Sequence, residues 1–95
     1  MSLNFDEYKK IHKECLELSI NKNKDYGSQS LVKYKELGML IRISDKIDRL
    51  DNLIFNKQKI NVSDEKIEDT LKDVINYSTY IIMYQRNKLK NEKTD

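Results

Sequence analysis

The sequence predicts an all-α fold, and three observations carry that expectation. The 95 residues contain no proline and only two glycines, so the punctuation of strands and hairpins is missing. Apolar residues recur at spacings of three and four along three long stretches, the period of a helix face. Charged residues make up 36% and hydrophobic residues 38%, enough for one modest core. The expected architecture is a single domain over 1–95. It is a bundle of three principal helices, the second broken near Gly38, completed by oligomerisation, with a polar loop at 21–30 and a frayed tail at 90–95.

The first helix is expected from Asn4 to about Ile20. Phe5, Tyr8, Ile11, Cys15 and Leu18 form its apolar stripe, Asn4 caps it, and Asp6 and Glu7 face the positive end of its dipole. Cys15 lies in register with that stripe and reads as core, since a lone cysteine has no intramolecular disulfide partner. His12 sits beside the stripe and, as the single histidine, reads as surface. The run Asn21-Lys22-Asn23-Lys24-Asp25-Tyr26-Gly27-Ser28-Gln29-Ser30 favours local side-chain bonds and positive φ over continued helix, and is expected to be a loop. Loops that hold Lys, Asp, Tyr and Gly together also collect ligand contacts. Lys24 suits a phosphate there, and Tyr26 suits a base.

Helix resumes near Leu31, with Gly38 marking a break between a short segment at 31–37 and a longer one at 39–56, because glycine costs about 1 kcal/mol in a helix interior. Leu40, Ile43, Ile47, Leu50 and Ile54 alternate spacings of three and four, a heptad-like seam. The opposite side carries Arg42, Asp45, Asp48, Arg49 and Asn52, with Asp45 and Arg49 placed as an i,i+4 ion pair. After a connection at 56–62, Ser63 reads as an N-cap and Val62 with Ile67 as a hydrophobic staple.

The third helix is expected from Asp64 to about Leu89. Ile67, Leu71, Val74, Ser78, Ile81, Ile82 and Gln85 form its core stripe. A second face carries Glu65, Asp69, Asp73, Asn76 and Tyr80, bordered by Tyr77 and Tyr84. Carboxylates on one helix face are ordinarily solvated surface, but three tyrosines beside them call for a ligand or another chain.

Eighteen basic and sixteen acidic residues nearly cancel, so nucleic-acid binding is disfavoured. No apolar run approaches the roughly 20 residues of a membrane span and no secretory segment is present, which predicts a cytoplasmic protein without membrane partners. Helices of about 18 and 27 residues extend roughly 27 and 40 Å, too long for so short a chain to wrap into a sphere. A homodimer or higher homo-oligomer is therefore expected, joined through Leu37, Ile41 and Phe55 on the second helix and Tyr77, Tyr80 and Tyr84 on the third.

Three pieces occur in order: Lys24-Asp25-Tyr26-Gly27, then Arg42-Ile43-Ser44-Asp45-Lys46-Ile47-Asp48-Arg49-Leu50, then Asp64-Glu65 with Asp69-Thr70, Asp73 and Asn76-Tyr77. Over about residues 20–84 the chain resembles the nucleotide modification associated domain family of bacteria and their phages. That family is similar, more distantly, to the MazG-type all-α nucleotide pyrophosphohydrolases. The resemblance implies a cytoplasmic, phage or bacterial protein of nucleotide metabolism whose partner is a small-molecule nucleotide. It implies Mg²⁺ as cofactor, held by Asp45, Glu65, Asp69 and Asp73, because Mg²⁺ takes hard oxygen ligands and offsets phosphate charge. Asp69 and Asp73 would be catalytic. Lys24, Asp25, Tyr26, Arg42, Lys46, Arg49, Asn76 and Tyr77 would bind the nucleotide.

Two alternatives stay open beside hydrolysis of a (deoxy)nucleoside triphosphate. Arg42, Lys46 and Arg49 stand among the acids and suit a non-enzymatic binder that sequesters a signalling nucleotide without metal. A purely structural helical adaptor is the third reading.

Overall fold

The computed structural model describes residues 2–27, 29–56 and 64–94, with the side chains of 26, 30, 56, 64–66 and 87–94 outside the description. All of its regular elements are helical: α1 (Phe5–Tyr26), α2 (Gln29–Val32), α3 (Lys35–Asp51) running into a π-helical turn (Asn52–Asn56), and α4 (Asp64–Thr94). Among the described residues there is no strand, and no helix is long and apolar enough to cross a membrane. The expected connection at 57–62, the Ser63 cap and the Val62 staple lie outside the described residues.

Helix α1 starts as expected, with the Asn4 side chain accepting from the Glu7 N–H at 3.1 Å. It ends later than expected. The stretch Asn21–Tyr26 is helical, and only Gly27, at φ 70 and ψ −175, stops it, donating its N–H to the Asn23 carbonyl at 2.8 Å. Such a conformation is essentially restricted to glycine. The Asn and Asp residues before it disfavour helix by less than 1 kcal/mol each, which contacts of Lys22 with α4 offset.

The break in the second helix falls at Lys33–Tyr34, four residues ahead of Gly38. Lys35 takes a left-handed φ of 58, and Gly38 is helical. The glycine is there for space: a Cβ at 38 would stand 2.8 Å from the Tyr34 Cβ. The break thus leaves its glycine one turn downstream.

Helices α3 and α4 form the principal pair. Glu36 meets Gln85 and Lys46 meets Asp73, so the two run antiparallel. Helix α1 crosses α4, where Glu14, Cys15, Ser19 and Lys22 meet Lys72, Asn76, Tyr80 and Asp73. Among the described residues only Cys15, Met39 and Leu50 are buried hydrophobics. Most of the expected apolar stripes are incompletely covered. On α1, Phe5, Tyr8 and Ile11 are exposed, with Tyr8 stacked on an exposed His12 at 4.6 Å.

Helix α4 is rotated relative to the expectation. Ile67, Val74 and Ile81 are half-buried against α3, but Leu71, Ser78, Ile82 and Gln85 are exposed. The face expected to be left over is turned inward instead. Asn76 is buried, and Asp73, Tyr77, Tyr80 and Tyr84 are half-buried. One neighbouring helix cannot cover a stripe that wide, while α1 supplies polar partners for the mixed face.

Candidate functional site

The inward face of α4 lines two adjoining grooves. The smaller, about 650 Å³, is bounded by Arg42, Asp45, Lys46, Asp48, Arg49 and the π turn at Asn52 and Leu53. The larger, about 1080 Å³, runs from α1 across α2 and α3, with an apolar side that includes Leu31, Met39 and Met83. Arg42 and Tyr77 border both. The Arg42 guanidinium stands 5.9 Å from the Tyr77 ring centroid, close enough for cation–π attraction, and Tyr80 packs edge-on against Tyr77 with centroids 5.9 Å apart.

Asp73 is the electrostatic centre of this region. Its Oδ1 accepts from the Lys22 Nζ of α1 at 3.1 Å, and its Oδ2 pairs with the Lys46 Nζ of α3 at 3.1 Å. One carboxylate therefore ties three helices together, with Lys22 at the larger groove and Lys46 at the smaller. A little further along, Lys72 reaches Glu14 and Glu68, each at 3.2 Å. Those two hydrogen bonds raise the Lys72 pKa, Glu14 first.

Asn76 borders the larger groove and also makes a packing contact. Its buried Nδ2 donates to the Cys15 carbonyl at 3.0 Å, and Ser19 bonds the Tyr80 hydroxyl nearby. Burial raises the Cys15 thiol pKa above 9.0, with Lys72 opposing and Glu14 and Asp73 reinforcing the shift. The thiol is thus held protonated and inert.

The other expected site residues divide between the grooves and elsewhere. Lys24 borders the larger groove from the last turn of α1, and Asp45, Lys46 and Arg49 border the smaller. Asp25 and Asp69 are exposed and border neither. The Tyr26 and Glu65 side chains lie outside the described residues. Asp45 and Arg49 form no ion pair, because an exposed pair gains only tenths of a kcal/mol against the freedom of both side chains.

Among the described residues no three His, Cys, Asp or Glu side chains gather as a metal site requires. Asp73 also faces two ammonium groups, a setting that disfavours a further cation. The Glu65 side chain, the fourth expected ligand, lies outside the described residues.

Lys22 is the groove residue that sequence reasoning missed. Its signal was available: continuing α1 past Ile20 places Lys22 seven residues after Cys15, on the face toward α4. Comparison with family models, with curated proteins and with solved structures finds no match to this chain.

Proposed function

We propose that this protein binds a nucleotide across the two grooves, phosphates in the smaller one, where Arg42, Lys46 and Arg49 outnumber Asp45 and Asp48, and base in the larger, aromatic one. The observation that carries this reading is the shared border: Arg42 and Tyr77 line both spaces, so a cationic end and a π surface are joined at one point. Arg42 and Arg49 present guanidinium forks suited to phosphate oxygens, and Lys46 adds a point charge. Tyr77 and Tyr80 offer ring faces and edges to a base, and Lys24 reaches the larger groove from α1.

Metal-free binding is the form of this reading that the described side chains support best. Lys46, which borders the smaller groove, already sits on Asp73, and an incoming phosphate competes with that carboxylate for it. Asp73→Asn removes the competitor and keeps the shape. Triphosphate affinity in that variant is expected to hold or rise.

A thermal-shift series with nucleoside mono- and triphosphates, in Mg²⁺ and in EDTA, with product analysis, tests the proposal. Stabilisation by a triphosphate that persists in EDTA, without product, supports it. Stabilisation and pyrophosphate release that need Mg²⁺ and vanish in Asp73→Asn would instead establish the hydrolase implied by the resemblance. If no nucleotide moves the melting temperature, the adaptor reading stands.

A further inference from the structure

The Arg42 guanidinium, at the junction of the two grooves, makes no ion pair among the described residues. An unpaired arginine side chain on an exposed helix face samples many rotamers, so a defined position needs a partner. That partner is the Tyr77 ring, whose centroid lies 5.9 Å from the guanidinium. A ring attracts a cation over its face and repels it at its edge, so the orientation of Tyr77 decides where Arg42 stands.

The Tyr77 hydroxyl has no hydrogen bond among the described residues, and the ring is instead set by Tyr80, which meets it with the two planes 82° apart. Tyr80 is tied in its turn, because Ser19 of α1 bonds its hydroxyl. Four residues separate Cys15 from Ser19, and four separate Asn76 from Tyr80. The Ser19 bond to Tyr80 is therefore one helical turn along both helices from the buried bond that Asn76 donates to the Cys15 carbonyl. Two rungs hold Tyr80 against α1.

We infer that Tyr80 is a positioning residue for the smaller groove: held by Ser19, it orients Tyr77, and Tyr77 holds Arg42 toward the phosphates. Tyr80 lines the larger groove and Tyr77 lines both, so the influence of Tyr80 on the smaller one passes through Tyr77. The purpose of this arrangement rests on the nucleotide reading above, and its contacts do not.

The chain has three arginines, Arg42, Arg49 and Arg86, whose Nε–H groups side-chain NMR can follow one by one without a ligand. In the wild-type protein the ring current of Tyr77 should set the Arg42 signal apart, and Tyr77→Leu should return it to the range of the other two. Ser19→Ala and Tyr80→Phe remove one bond from its two ends and keep every ring. Each should move the Arg42 signal toward its position in Tyr77→Leu and leave Arg49 in place, and the double variant should move it no further than either change alone. An Arg42 signal that neither variant moves, or that moves together with Arg49, would overturn the inference. Inorganic tripolyphosphate supplies a second arm, because it carries no base for Tyr80 to meet. Its affinity should fall about two- to tenfold in each variant, the range of one aromatic contact, and unchanged affinity in both would contradict a positioning role. Failure of the wild-type protein to bind any triphosphate would instead sink the nucleotide reading, with the Arg42 signal still deciding the contacts.

Discussion

The Asn76 amide donates to the Cys15 carbonyl from a position nearly closed to water. Asn76→Ala removes that donor and loosens the α1–α4 crossing, at an expected cost of about 1–3 kcal/mol. Urea unfolding would show it as a lower midpoint at unchanged slope. The neighbouring thiol supplies a pH dependence. Its folded pKa is raised, so above 9.0 the unfolded state loses the proton while the folded state keeps it, and stability falls as pH rises. The stability advantage of wild type over Cys15→Ala is therefore expected to shrink from neutral pH to above 9.0. A constant difference across that range would contradict the assignment.

Along each element, the break before α3 falls within the lining of the larger groove, between Val32 and Met39. Gly38→Ala gains about 1 kcal/mol of helix propensity, but its Cβ meets the Tyr34 Cβ at 2.8 Å, and main-chain displacement costs about 1–3 kcal/mol. The expected net effect is destabilising, read as a lower melting temperature. Lys35→Gly should do the opposite, because relief of the left-handed φ of 58 outweighs glycine's entropy by about 0.5–1 kcal/mol.

The sequence made Gly38 visible as an irregularity and left its cause hidden, since the crowding residue declares itself only once Tyr34 leaves the helix. The three helices and the Asn4 cap were legible because periodicity and caps are local signals. The end of α1 and the rotation of α4 were not. Both depend on which face finds a partner, and a stripe spanning Ile67, Leu71, Val74, Ser78 and Ile82 is wider than α3 covers. Arg42, Lys46 and Tyr77 were legible as a group because all three face the same way across one antiparallel pair. Lys22 was hidden by the Asn-rich run around it.

For the molecule as a whole, long helices and a small core belong together. A chain 54 Å in its longest dimension that buries only three hydrophobic side chains among its described residues leaves helix faces uncovered. The Arg42–Tyr77 side is the one proposed for the nucleotide. Titration calorimetry of a nucleoside triphosphate in EDTA, into wild type and into Arg42→Ala, tests the central claim most directly. Arg42 is exposed, so its loss leaves the fold in place. The account predicts saturable binding to about one site per chain, weakened at least about tenfold, or roughly 1.4 kcal/mol, in Arg42→Ala. Absence of heat with every triphosphate, or equal affinity in the two proteins, would contradict it.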